Sequence, residues 1–212
     1  MCGISGIINF KENIDKIKIQ KMHSAIKHRG PDDEKIIDLK FCKLGMLRLS
    51  IIDLTTASNQ PFKDNDRKVT LIYNGEIYNF KELKEQYFPN KEFKSNGDGE
   101  VLLYLYIKFG INFVEKIKGM FAICIVDEKF DKIYLVRDRF GIKPLYYYKN
   151  KDGFLNFCSE IKGLVQLNNV KREINFEEIY LYLNKGFINS TNQTWFKNIN
   201  QIPPGSYLTM DR

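Results

Sequence analysis

The feature that most constrains this chain is a succession of short apolar runs, aromatic and β-branched, that follow one another instead of alternating with helices. FAICIVD at 121–127, KIYLVRD at 132–138 and PLYYYK at 144–149 read as strands, and FLNFCS at 154–159 pairs with the last of them as a hairpin over Lys151, Asp152 and Gly153. Further strands are expected at 3–9 (GISGIIN), around 35–40 and 43–52, at 69–73 (VTLIY), and at SYLTM after the Pro203-Pro204-Gly205 turn. Helices flank these runs. Ile14, Ile17, Ile19, Met22 and Ile26 recur at near-helical spacing among lysines, which predicts an amphipathic helix over 14–27. A helix over 79–87 follows an Asn74-Gly75-Glu76 turn, and Asp98-Gly99-Glu100 leads into the apolar helix VLLYLYIKFG, ended by Gly110. Two more helices are expected at 160–167 and 176–184, while HRGPDD at 28–33 reads as a turn because Gly30 and Pro31 break a helix. Strands in runs, flanked by helices in pairs, imply an α+β chain with stacked sheets rather than a βαβ alternation.

Composition excludes several classes. With 212 residues, 43% hydrophobic and 28% charged, the chain can bury a core without a disulfide or metal staple. The formal charge of +7 reads as surplus surface lysine. No basic run exceeds three residues and no basic face is interleaved with aromatics, so nucleic acid is not an expected partner. No stretch approaches the roughly 18 apolar residues of a membrane helix, and the N-terminus lacks the basic region of a signal peptide. None of the four cysteines forms a C-x-x-C pair, and Cys42, Cys124 and Cys158 sit in apolar runs as expected buried thiols. The expected setting is cytoplasmic, with the sequons at Asn189 and Asn192 as chance matches.

The common site motifs are missing: no P-loop, no G-x-G-x-x-G, no H-E-x-x-H and no G-x-S-x-G. The only histidines are His23, read as a helix-surface residue, and His28, so no metal site is expected. Cys2 stands out. A Met before a small residue is commonly trimmed, which would leave Cys2 at the N-terminus. Its α-amine, with a pKa of about 7.7–8, could then take the proton of a thiol near 8.5 without a histidine. Taken alone, Cys2 reads first as an arbitrary cysteine in a buried strand; a papain-like pair would have to use His28.

Ten blocks, in order and over essentially the whole chain, weigh against the arbitrary cysteine: MCGISGI, HRGPDD, RLSIIDL, QPF, YNGEIYNF, GDGEVLL, GMFAICIVD, LVRDRFGIKPLYY, SEIKGL and IPPGSYL. In these the sequence resembles the glutaminase domain of class II (N-terminal nucleophile) glutamine amidotransferases, most closely that of asparagine synthetases. The resemblance implies the four-layer αββα sandwich of N-terminal nucleophile hydrolases, with residues 1–212 as one glutamine amidotransferase domain. It makes Cys2 the nucleophile that forms a glutamyl thioester, and Asn74 and Gly75 the oxyanion hole. It assigns Arg48 to the substrate α-carboxylate, which a guanidinium holds bidentately. The backbone of Leu49, Ser50, Ile51 and Ile52 would line the pocket, and Asp98, with Glu76 nearby, would bind the α-ammonium. Asp98 could also cap the helix it precedes.

Under the same resemblance, Arg29, Asp32 and Asp33 order a loop. Arg137, Asp138 and Arg139 look like an ion-pair network, and Phe140, Pro144 and Tyr146 to Tyr148 read as core. Two departures stand out: Met46 and Leu47 replace a His-Arg pair common before the arginine, and Gly97 and Gly99 flank Asp98, which suggests a more mobile loop. The match stops at IPPGSYLTMDR, and no S-G-G-x-D-S pyrophosphate loop is present. A C-terminal ATP-dependent synthetase domain is therefore expected as the partner in the parent chain. ATP and Mg are expected only there, and this domain is expected to need no cofactor. A homodimer is compatible with the sequence. The expected activity is hydrolysis of L-glutamine to glutamate and ammonia for an asparagine synthetase-type amidation. The alternatives are a silent glutamine-binding domain that needs its synthetase partner, a glutaminase serving amidation of a sugar carboxylate, and a hydrolase of another amide.

Overall fold

A computed structural model describes residues 1–186 and 191–212. In chain order its elements are β1 (Gly3–Ile8), α1 (Lys16–Ala25), β2 (Asp33–Leu39), β3 (Cys42–Arg48), β4 (Phe62–Asp64), β5 (Val69–Ile77), α2 (Phe80–Tyr87), α3 (Gly99–Phe109), β6 (Gly119–Asp127), β7 (Lys132–Arg137), β8 (Tyr146–Lys149), β9 (Leu155–Cys158), α4 (Ile161–Leu164), α5 (Phe176–Lys185), β10 (Ile199–Gln201) and β11 (Tyr207–Asp211). They form two antiparallel sheets, ordered β10-β8-β9-β1-β3-β2 and β11-β7-β6-β5-β4.

The period-two alternation of each strand sorts its side chains into layers. In β6, Phe121, Ile123 and Ile125 pack with Val101, Leu102, Leu105 and Phe113 beneath α2 and α3. Ala122, Cys124 and Val126, one position out of phase, meet Ile4, Ile8, Leu44, Met46 and Phe157 of the opposite sheet. On the far side of that sheet Ile7, Leu47 and Cys158 pack against Ile19, Met22, Ile26 and Leu164. Helix, sheet, sheet, helix is the four-layer αββα order, with an apolar layer at each of its three seams. Each large side chain buried in a seam contributes roughly 1.5–3 kcal/mol. No helix of the described residues is long and apolar enough to cross a membrane.

Several expectations need correction. The strand expected at 43–52 ends at Arg48, because Leu49 and Ser50 are drawn into loop contacts described below. Asn74-Gly75-Glu76 is not a turn but the continuation of β5, paired with β6 as far as Ile77 opposite Gly119. The short strands β4 and β10 carried no clear sequence pattern. Helix α1 starts at Lys16, where the Asp15 side chain accepts from the Ile17 N–H, and the helix expected at 160–167 is only the single turn of α4. His23 is buried rather than on the surface, and neither ring nitrogen has a hydrogen-bond partner. Burial lowers its pKa, against the opposing pull of Glu34. Phe140, read as core, is 83% exposed, and Tyr146 to Tyr148 are half-buried. Met46 and Leu47 face apolar layers. Cys42, Cys124 and Cys158 are buried free thiols, as expected, and burial raises the pKa of each, that of Cys158 to about 12. The sequon at Asn189 lies outside the described residues.

Candidate active site

Strand β1 lies inside its sheet, between β3 and β9, and Gly3 at its start stands opposite Leu47. Cys2 therefore leaves the sheet edge beside the end of β3. Its Sγ accepts from the Leu49 N–H at 3.3 Å and lies 3.6 Å from the Leu49 carbonyl. The HRGPDD block secures this corner. Arg29 Nε donates to the Cys2 carbonyl at 2.9 Å and its Nη1 to Glu160 Oε1 at 2.7 Å, while Asp32 Oδ2 accepts from the Ser50 N–H at 2.7 Å. Burial raises the Glu160 carboxyl, but hydrogen bonds from Arg29, Lys162 and His28 outweigh it and hold the pKa at about 2.

The other wall comes from β5. The Asn74 side chain is on the same face as Ile72, which belongs to the seam between the sheets. Asn74 is 1% exposed, and its Nδ2 has no hydrogen-bond partner. The backbone of Phe121, opposite Gly75, is taken by Asp138 on its other side, so the Gly75 N–H turns away from β6 into the pocket. The N–H groups on either side of it in the same direction are occupied: Tyr73 donates to Gln60 Oε1 at 2.7 Å and Ile77 to Asp98 Oδ2 at 2.8 Å. No side chain of the described residues accepts from Gly75. Glycine is required here for a reason on the sheet side, since a Cβ would lie 2.2 Å from the Met120 carbonyl oxygen.

Two ionic groups stand at the far end. The Arg48 guanidinium is buried and donates to the carbonyls of Thr55 (2.9 Å) and Asp53 and to Asn59 Oδ1. Asp98 is 4% exposed. It takes the N-cap position of α3, but its side chain does not cap the helix; it accepts from the Tyr73 hydroxyl and the Ile77 N–H instead. Burial raises the Asp98 pKa and the nearby Glu76 charge adds to it, while those two hydrogen bonds pull it back. Burial and the Asp98 charge push the Tyr73 hydroxyl up as well, so it remains a donor. The glycines beside Asp98 serve packing rather than mobility. A Cβ on Gly97 would lie 2.7 Å from Ser58 Oγ, and one on Gly99 2.3 Å from the Phe62 ring.

One cleft joins Cys2, Arg48, Leu49, Ile51, Ile52, Asn74, Gly75, Glu76 and Asp98. Of the expected site residues only Ser50 is left out of its lining. Reading the sequence for site residues missed Asp53, Ser58, Gln60, Tyr73 and Lys143, which also line it. The RLSIIDL, QPF, YNGEIYNF and GIKPLYY blocks contained Asp53, Gln60, Tyr73 and Lys143, but without an assigned role. The expected ion-pair network at 137–139 is absent among the described residues. Arg137 donates to the carbonyls of Gly141, Lys143 and Ile202 and to Gln201, and Asp138 accepts from the N–H groups of Phe121, Phe140, Ile142 and Lys143. Both thus shape the loop that delivers Lys143 to the cleft. No group of three or more metal-ligating side chains occurs among the described residues.

The two stacked sheets, with a cysteine at the mouth of the seam, define the N-terminal nucleophile hydrolase type of sandwich. A solved glutamine phosphoribosylpyrophosphate amidotransferase from Bacillus subtilis shares the fold, with a TM-score of 0.64 over 77% of this chain and 43% of that one, at 21% identity. The family model of the glutamine amidotransferase domain matches residues 1–212, and the chain belongs to that family. It is 42% identical over its whole length to a putative glutamine-hydrolysing asparagine synthetase of Methanocaldococcus jannaschii, covering 44% of that protein. It is 40% identical to the Bacillus subtilis glutamine-hydrolysing asparagine synthetase 2, covering 29% of it. The chain thus spans less than half the length of these two relatives.

Proposed function

We propose that the chain hydrolyses the side-chain amide of L-glutamine and supplies the ammonia to an asparagine synthetase-type amidation elsewhere in a longer protein. The observation that carries this reading is the pair of free donors, Asn74 Nδ2 and the Gly75 N–H, on the wall of the cleft that Cys2 lines. A buried donor left unpaired costs about 1–3 kcal/mol, and an oxygen that develops negative charge is the partner that best offsets it.

The chemistry follows in steps. With Met1 removed, the α-amine of Cys2 takes the thiol proton. With Met1 in place that nitrogen is an amide and has no lone pair to offer. The thiolate attacks the carboxamide carbon, and the carbonyl oxygen becomes an oxyanion held by Asn74 and Gly75. Collapse expels ammonia, which carries away the proton held by the α-amine, and leaves a glutamyl thioester. Water, deprotonated by the same amine, attacks the thioester carbon; the thiol regains its proton and glutamate departs. Asp98 and Glu76 attract the substrate α-ammonium, and Arg48 its α-carboxylate. Nothing in these steps requires a cofactor. ATP and Mg belong to the acceptor half of a longer protein, and the four free thiols accord with a reducing cytoplasm.

A second reading has one observation in its favour. The Arg48 guanidinium already donates to the carbonyls of Asp53 and Thr55 and to Asn59, so in this reading a partner domain reorders that loop to turn more of its donors toward a carboxylate. The test is the intact mass of the purified chain with glutamate release from glutamine on the same sample, beside Cys2→Ala. A mass lacking Met1, with glutamate from the wild type alone, is the expected result. A trimmed chain without turnover favours the partner-dependent reading. An untrimmed chain that still hydrolyses glutamine overturns the α-amine as base.

A further inference from the structure

We propose that Asp53 is a positioning residue that fixes the distance between the carboxylate-binding and ammonium-binding ends of the pocket, so that a free α-amino acid is read as a unit. The proposal deepens the glutamine reading and rests on it. Asp53 is 7% exposed, and its polar atoms reach three separate segments. Its main-chain carbonyl accepts from Arg48 Nη2. Its Oδ1 accepts from the Thr55 N–H at 2.9 Å, and Thr55 is itself the residue whose carbonyl holds Arg48 Nη1. Its Oδ2 accepts from Ser58 Oγ at 2.8 Å and from the Asn96 N–H at 2.9 Å, two residues before Asp98. One short side chain thus ties the loop around Arg48 to the segment that presents Asp98.

The packing agrees with this role. A Cβ on Gly97 would stand 2.7 Å from Ser58 Oγ and 3.6 Å from Asp53 Cβ, so the two segments touch with no side chain between them. Hydrogen bonds from the Thr55 backbone first, then from the Ser58 hydroxyl and the Asn96 backbone, hold the Asp53 carboxyl below the ordinary range. It is therefore a charged acceptor for all of these donors at neutral pH. Glutamine carries its carboxylate and ammonium on one carbon, and simultaneous capture of both demands clamps at a set separation. Asp53→Asn keeps the shape but replaces one acceptor by an NH2 facing a donor.

The experiment measures protection of Cys2 from iodoacetamide by three ligands: glutamine, glutaramate (which lacks the ammonium) and 4-aminobutanamide (which lacks the carboxylate). It needs no turnover. Asp53→Asn should raise the half-protecting concentration of glutamine about tenfold, the size of one lost hydrogen bond to a charged group. The two single-ended ligands, each held by one clamp, should shift by no more than about twofold. Ser58→Ala, which removes one bond and leaves the charge, should move glutamine in the same direction by about threefold, and carries the test if Asp53→Asn does not fold. An equal weakening of all three ligands, or no change for glutamine in either variant, would overturn the proposal and leave Asp53 a loop staple. If glutamine fails to protect the wild type, the glutamine reading itself falls, and this inference with it.

Discussion

Asn74 concentrates the proposed chemistry in one side chain, and its environment makes the claim measurable. Its Nδ2 lies at the seam between the sheets with no partner. Asn74→Ala should lower glutamine turnover by about 10²–10³, the usual cost of one oxyanion donor. It removes an unpaired buried group, so the thermal midpoint should not fall. A drop in melting temperature that accounts for the lost activity would make Asn74 a structural residue instead. Cys2, Arg48, Asn74 and Asp98 were legible as residues of one cleft because the resemblance assigns each a role that suits its side chain. Asp53, Gln60 and Tyr73 were not. Their importance lies in which backbone N–H groups and carboxylates they meet, and such meetings form only when segments distant in sequence converge. Phe140 shows the reverse case: its hydrophobicity suggested the core, while Asp138 and Arg137 hold its loop at the surface.

Among elements, β5 is the instructive one. Asn-Gly is a strong local signal for a tight turn, and it read as one here. The ladder with β6 keeps the chain extended through both residues, from Val69 opposite Asp127 to Ile77 opposite Gly119. Nine paired residues outweigh a two-residue preference. The same ladder fixes which way the Gly75 N–H points, so the element, not the dipeptide, makes the donor. Gly75→Ala should separate β5 from β6 locally, because the new methyl group meets the Met120 carbonyl and the Phe121 Cα, neither of which can rotate away. A loss of about 1–3 kcal/mol in urea unfolding is expected, together with a fall in turnover. Wild-type stability in this variant would place the strand pairing in error. The ends of β3 and α4 were misjudged for a related reason: hydrophobicity continues past the point where loop hydrogen bonds take over.

For the molecule as a whole, the alternation in each strand announced two-faced sheets, but which faces meet is not a property of periodicity, and the sandwich was legible only through the resemblance. Long-range ties complete it. Arg29 and Glu160, 131 positions apart, lock the segment after α1 to the start of α4, with His28 and Lys162 on the same carboxylate. Glu160 has an ordinary pKa of 4.5 and is held at about 2 in the fold. A depressed carboxyl contributes stability above its unfolded pKa and loses it as pH falls through the folded one. Glu160→Gln should therefore be less stable than the wild type at pH 7. The gap should close between about pH 4.5 and 2, as followed by thermal melts across that range. A gap that stays constant with pH would deny the carboxylate its role.

The placing of β1 has a consequence in time. Its neighbours are residues 42–48 on one side and 155–158 on the other. During synthesis, which runs at about 5–20 residues per second, the second neighbour emerges many seconds after the first strand. Until then β1 has a partner on one side only, and the Ile4 N–H lacks the Ser159 hydroxyl, 155 positions on, that accepts from it in the fold. The corner that carries Cys2 is thus complete only when a segment more than 150 residues downstream has joined it.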